Sequence, residues 1–425
     1  MKNIAFTFIC LLFVVGLSAQ DQRCHSEQAL SELIAENPAI AADIAKEKEL
    51  VQKNRSAFRA SNSQGTYEIP VVVHVVYKTA AQNISTAQIM SQLRVLNEDF
   101  EAENADTALI PAAFKPFLGD ADIDFCLAQT DPDGFYTTGI TRTQTNVNSF
   151  TFDDKVKSSS TGGKDPWPRN DYLNIWVCNL GGGILGYAYP PGAPANIDGV
   201  VIGYQYFGSI DDNDGSFVID NTYNKGRTTT HEVGHWLSLD HVWGGGSGCE
   251  NDFASDTPLQ DGPNYGCPSF PTISTCNGND NGPDGDMFMN FMDYVDDDCM
   301  HMFSDDQCSN MQSALTFSRP SILLSTGCNP GIGASIEENI FSSVKLYPNP
   351  ANEQLNLEFD LASASEVIVQ LFNSQGQSVY SNIINESKTG LYKVNIPTGE
   401  LSEGLYHVEL ISGAQQLNKA VVIAR

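Results

Sequence analysis

The chain has 425 residues, enough for more than one domain and at least one large core. Asp and Glu outnumber Lys and Arg by 52 to 23, a net charge of −29. Such a field repels polyphosphate and excludes nucleic acid as a natural partner, while favouring solubility and bound cations such as Ca²⁺.

Residues 1–19 read as an export signal: Lys2, an apolar run over 4–15, and the small-residue site Leu17-Ser18-Ala19. The run is too short to span a bilayer, and no other stretch reads as transmembrane. Nine cysteines follow, in a compartment that can oxidise them. Eight lie between positions 126 and 328, and Cys24 stands apart from them. Residues 20–60 form a charged helical pro-region, with Leu30, Leu33, Ile34, Ile40 and Ile44 near helical spacing and a break at Pro38. A polar linker, Ser61 to Gly65, ends it.

The main domain is expected over 61–330. Residues 67–77 are β-branched and predict a strand, with His74 as a core residue rather than a ligand. Residues 85–101 predict an amphipathic helix capped by Ser85, with the stripe Ile89, Leu93, Leu96 and Phe100. Further strands are expected over 121–127, 173–178 and 199–202. This order implies an α+β fold, a twisted mixed sheet backed by helices, whose edge can pair with an extended substrate. The acidic loop at 211–215 lacks the rest of an EF-hand and reads as solvated. Thr228, Thr229 and Thr230 lead into the next helix, and a threonine there can cap it.

That helix carries His231, Glu232, His235 and, six residues later, His241. His231 and His235 share one helical face and can hold one Zn²⁺. The helix must break to return His241 as a third ligand. Three histidines leave one position for water, the mark of a catalytic site, and Glu232 is placed to take a proton from that water. Cys24 then has two readings. Either it latches the open zinc position until the pro-region is removed, or it is a free or intermolecularly paired thiol.

Residues 249–290 are long, polar and rich in Asn, Asp, Gly and Pro, and need tying down. Cys249, Cys267, Cys276 and Cys299 can supply two disulfides. Asp252, Asp256 and Thr257 offer oxygen ligands for Ca²⁺, or equally an Asx-turn network. Beside the zinc helix, Met292 reads as a floor under the histidines and Tyr294 as a phenol aimed at an oxyanion. His301 is not counted as a ligand. A closing helix is expected over 304–318. A linker over 331–343 precedes residues 344–425, whose short alternating strands predict a small all-β sandwich.

The run His-Glu-Val-Gly-His-Trp-Leu at 231–237, with Trp243-Gly244, Asp256-Thr257-Pro258, Asn264-Tyr265-Gly266-Cys267-Pro268 and Met289-Asn290-Phe291-Met292-Asp293-Tyr294, resembles the metzincin clan, and within it the pappalysin zinc endopeptidases. The resemblance spans about residues 65–325. It implies Zn²⁺ on His231, His235 and His241, Glu232 as general base, Met292 beneath the metal and Tyr294 as a transition-state aid. It also implies the pairs Cys249–Cys276 and Cys267–Cys299, structural calcium near Asp252 to Thr257, and a pro-region cysteine as latch. Asp297 falls in the segment that forms the S1′ wall in this clan. Either it pairs with Lys or Arg at P1′, or it joins Asp296 and Asp298 in a solvated turn. A basic P1′ preference would let the enzyme cut before Arg55 or Arg59 and release Cys24. One departure stands out: Ser238 replaces the Gly usual at the left-handed turn before the third ligand, a strain of about 1 kcal/mol.

Residues 346–350 (Leu-Tyr-Pro-Asn-Pro), 372–376, 401–406 and 419–423 resemble the sorting domain of the type IX secretion system of Bacteroidetes. That implies a Gram-negative source, passage through the type IX machinery to the cell exterior, and removal of the domain. The combined expectation is a secreted zinc endopeptidase acting on proteins or peptides and made as a latent zymogen. The alternative is a zinc-stabilised adhesin that has lost catalysis.

Overall fold

The structure, a computed structural model, describes residues 23–57, 66–246, 248–276, 278–331, 341–361, 366–373, 377–384, 388–412 and 415–425. The export signal, Arg59, the 61–65 linker, most of the 331–343 linker and the tips of the hairpins after Asn373 and Ser412 lie outside them. The chain divides into two compact units: Met1–Ile69, Val73–Phe125 and Thr141–Leu324 form one, and Pro70–Val72, Cys126–Ile140 and Ser325–Arg425 the other.

The first unit begins with two helices, α1 (Ser26–Glu36) and α2 (Ala39–Asn54), broken at Pro38 as its fixed φ and missing N–H require. Next come β1 (Tyr67–Tyr77), α3 (Thr86–Phe100), β2 (Ile123–Leu127), β3 (Ile140–Gln144), β4 (Leu173–Cys178), β5 (Gly186–Ala188) and β6 (Val200–Gly203). The Ser85 side chain accepts from the Gln88 N–H and caps α3. The strands form one mixed sheet in the order β2-β1-β4-β6-β5, with β3 also paired to β1. β4 runs parallel to β6, whereas β5 is antiparallel to it and closes the edge. Two strands of this sheet were not foreseen. β3 is polar and half-exposed, and β5 is three residues long, so neither carries an alternation that separates it from loop. His74 is fully buried in β1 between the Thr141 hydroxyl and the Asn174 amide.

The site helix α4 (Arg227–Trp236) is buried along its whole length. Its start corrects the expected threonine cap. Gly226, at φ +79°, is the N-cap, and Thr228 to Thr230 lie inside the helix. The Asp297 carboxylate does the capping from across the fold, accepting from the N–H of Lys225 at 2.9 Å and of Arg227 at 3.2 Å. The threonine hydroxyls are spent on α3 instead, Thr229 on Gln92 at 2.9 Å and Thr230 on Asp99 at 2.6 Å.

Beyond α4 the chain is irregular apart from the short pair β7 (Thr275–Cys276) and β8 (Asn279–Asp280), and ends in α5 (Asp305–Ser313) followed by a π-turn over Ala314–Ser318. Disulfides join Cys249 to Cys276 and Cys267 to Cys299. In the second unit a third joins Cys126 to Cys328, a pair that spacing alone left open. Cys178 and Cys308 are free and buried.

The C-terminal strands are β9 (Phe341–Tyr347), β10 (Gln354–Leu361), β11 (Val367–Phe372), β12 (Ser378–Ile384), β13 (Gly390–Pro397), β14 (Gly404–Ser412) and β15 (Gln415–Ile423). They form two antiparallel sheets, β13-β10-β9 and β12-β11-β14-β15. Strict alternation builds their shared core: Leu355, Leu357, Phe359 and Leu361 of β10 are buried with Val367, Val369 and Leu371 of β11.

Candidate active site

The histidines converge because α4 stops where it does. His231 and His235 sit one turn apart, and the helix ends at Trp236. Ser238 then takes φ +75°, and the Leu239 N–H returns to the Gly234 carbonyl at 3.0 Å. This reversal brings His241 back beside the helix, with His235 Nε2 3.1 Å from the Nε2 atoms of both His231 and His241. It is the turn in which Ser stands for Gly, and Ser adopts the left-handed backbone that Gly usually supplies.

The other ring nitrogens fix the tautomers. Nδ1 of His231 donates to the Phe291 carbonyl at 2.7 Å, and Nδ1 of His235 to the Leu239 carbonyl at 2.8 Å. Nδ1 of His241 donates to the Glu27 carboxylate at 2.7 Å. Carbonyls and carboxylates only accept, so each Nδ1 carries the proton and each Nε2 presents a bare lone pair. Burial holds His231 and His235 far below the usual imidazole range, so both stay neutral. Three lone pairs facing one another repel unless a cation lies between them. Tetrahedral Zn–N bonds of 2.0–2.1 Å would set the nitrogens about 3.3 Å apart. The site therefore fits a metal ion.

Cys24 completes the set, its Sγ and the three Nε2 atoms all lying within 4.8 Å of one another. Burial, then the nearby Glu232, pushes this thiol up, and a bound cation inverts that bias and favours the thiolate. Residues 23–25 lie extended along β5, with the Leu185 N–H on the Arg23 carbonyl at 3.3 Å and the His25 N–H on the Gly186 carbonyl at 3.1 Å. Cys24 thus forms a parallel bridge to Gly186.

Glu232 is fully buried, and burial raises its carboxyl to about 7, opposed by the Ser26 hydroxyl donating to Oε2 at 2.8 Å. Its Oε1 has no partner among the described residues. Met292 lies under α4: a Cβ placed on Gly234 would come within 2.6 Å of its Sδ, so glycine there admits the methionine. The Tyr294 hydroxyl donates to the Cys24 carbonyl at 3.1 Å, and its ring stands edge-on to His241 and Trp243. Asp297 is buried and its Oδ1 accepts from Arg23 Nη2 at 2.6 Å, while Arg23 Nη1 reaches the Val295 carbonyl. Asp298, by contrast, is exposed and paired with Lys225. His301 lies away from this cluster, beside Asp106.

Asp252, Asp256 and Thr257 form a hydrogen-bonded turn. The Thr257 hydroxyl donates to Asp252, and Asp256 accepts from the Ser304 hydroxyl and the Asp306 N–H at the start of α5. Three contributors escaped sequence reasoning: Arg23, Ser26 and Glu27, each engaging a different part of the site. The signal for Arg23 was present, since an arginine adjoins the cysteine offered as a latch, in a chain for which a basic P1′ preference was one of two readings of Asp297.

The family described as pregnancy-associated plasma protein-A matches residues 157–316, and a secretion-system C-terminal sorting domain matches 345–424. An extracellular metalloprotease of Pyricularia oryzae is 30% identical over 73% of this chain and 96% of its own length. The chain is a pappalysin-family metalloprotease. Among solved structures, Tannerella forsythia promirolysin is 45% identical, covers 71% of this chain and 97% of its own, and superposes with a TM-score of 0.63. Mature T. forsythia mirolysin with a cleaved peptide is 50% identical over 62% of this chain, with a TM-score of 0.58. The pappalysin chain has a mixed α/β fold like that of mirolysin, hydrolyses peptide bonds and carries a sorting tail of the type IX secretion system.

Proposed function

We propose that this metalloprotease is a zinc endopeptidase held latent by its own pro-segment and selective for Lys or Arg at P1′. One observation carries the reading: Arg23 and Cys24 are adjacent, and they engage respectively the buried Asp297 carboxylate and the three-histidine cluster. The pro-segment thus lies through the cleft as a substrate mimic, with its arginine in the pocket and its cysteine on the metal position. Bound Zn²⁺ supplies a Lewis acid and lowers the pKa of water held there.

The protein's own groups do the rest once residues 23–27 leave. The carbonyl of Gly186 and the N–H of Leu185 become free to pair with substrate main chain. Glu232, freed of Ser26, accepts the proton of the attacking water and passes it to the leaving amine. Tyr294, freed of the Cys24 carbonyl, donates to the developing oxyanion. Asp297 receives the P1′ cation, charge-assisted as with Arg23. Ca²⁺ belongs to the reading as a structural ion near Asp252, whose buried carboxyl rises to about 7 and which a cation would hold ionised.

Profiling with a peptide library tests selectivity, with and without a zinc chelator. Cleavage before Lys and Arg that disappears with chelator supports the reading, and apolar P1′ residues winning sinks it. Glu232→Ala should lower hydrolysis by about 10²–10⁴-fold while zinc stays bound.

A further inference from the structure

The three ring-nitrogen partners at the site differ in origin. Phe291 and Leu239 are backbone acceptors of the catalytic unit and stay when the pro-segment goes. Glu27 is a pro-segment side chain in the first turn of α1, where the helix dipole favours its charge. Its carboxylate sits 2.7 Å from His241 Nδ1, while the His241 side chain is 1% exposed and that of Glu27 48%. Both line a cavity of about 650 Å³ that also takes in Lys48, Asp240, Glu250 and Phe253. Removing α1 therefore leaves His241 Nδ1 facing this space without its carboxylate.

A carboxylate on the far nitrogen fixes a ligating imidazole's tautomer and orientation and raises its basicity, more than a neutral carbonyl does. His241 needs this most. The other two ligands are set in a buried helix, whereas His241 follows the strained turn at Ser238.

We propose that Glu27 holds His241 in place for the metal, so that the pro-segment contributes to metal retention through a second residue besides Cys24. The precursor then binds Zn²⁺ more tightly than Cys24 ligation alone provides. Pro-segment removal withdraws a ligand and a carboxylate together, and leaves a mature enzyme that loses metal to chelators more readily. This rests on the zinc reading of the histidine cluster.

The test uses full-length precursor carrying Glu232→Ala, so that it does not process itself, and measures Zn²⁺ dissociation constants by competition with a fluorescent chelator. Glu27→Ala should weaken Zn²⁺ binding about ten- to a hundredfold. The loss should persist with Cys24→Ala, and Glu27→Gln, which keeps an acceptor oxygen without the charge, should fall between. Glu27 is half-exposed, so these variants should keep the parent's circular dichroism. A constant within twofold of the parent overturns the proposal. So does a loss confined to chains that retain Cys24, because Glu27 would then act only by docking the thiol. A parent that takes up no Zn²⁺ overturns the zinc reading and this inference with it.

Discussion

Replacing Arg23 with Ala probes the proposed latent state directly. The side chain is 1% exposed and its guanidinium makes two hydrogen bonds, to the Asp297 carboxylate at 2.6 Å and to the Val295 carbonyl, and lies over the Tyr223 ring at 5.1 Å. Breaking a buried pair by removing one partner costs about 3–5 kcal/mol, because the remaining charge is stranded. Asp297 is not wholly stranded here: it keeps the N–H groups of Lys225 and Arg227, and water can enter the emptied pocket. The low end, about 3 kcal/mol, is therefore appropriate, and it shifts the equilibrium between docked and undocked pro-segment about 150-fold. Cys24 reports that equilibrium, since its thiol is buried when docked. In full-length Glu232→Ala chain, alkylation of Cys24 should speed up by about two orders of magnitude in Arg23→Ala. Buried Cys178 and Cys308 serve as internal controls for general unfolding. Arg23→Lys keeps the charge but loses the fork that also reaches Val295, and should fall between. A rate within threefold of the parent would refute the argument that the Arg23–Asp297 pair holds the pro-segment in the cleft.

Three further outcomes follow from the same geometry. Ser238→Gly should raise stability by about 1 kcal/mol, because Ser238 sits at φ +75°; an unchanged or lower Tm would remove strain from the account of that turn. His74 is held at about 4 by burial, against an ordinary 6.5, so its neutral form favours the fold. That contribution is complete above pH 6.5 and is lost as pH falls through about 4, with a span of about 3 kcal/mol. Urea unfolding between pH 7 and 4 should show this slope in the parent and lack it in His74→Gln, and equal slopes would assign acid sensitivity elsewhere. Removing Ca²⁺ with EGTA should lower the Tm, and Asp252→Asn should blunt the effect. A Tm indifferent to both ions and chelator would leave the Asp252 turn to its hydrogen bonds alone.

The difference between what was legible and what was not lies in the range of the interactions. His231, Glu232, His235 and His241 announce themselves because helical periodicity is local: spacing alone puts two imidazoles on one face and demands a turn before the third. β1 and the sandwich strands are equally readable, β1 from its long β-branched run, buried on both faces, and the sandwich strands from alternation over many residues. β3 and β5 were not, being too short or too polar to carry a pattern, although β5 is the edge on which residues 23–25 lie. The helix start failed for a related reason. Thr228 to Thr230 look like caps, but the cap is Gly226, and the acidic partner arrives from Asp297, about 70 residues away. Local sequence determined the three histidines, the turn at Ser238 and the chemistry they permit. Only the tertiary structure decided what meets them. Arg23, Ser26 and Glu27 are separated from Asp297, Glu232 and His241 by more than 200 positions. No local spacing encodes such contacts; they exist because α1 packs beside β5 and delivers one short segment to the whole site.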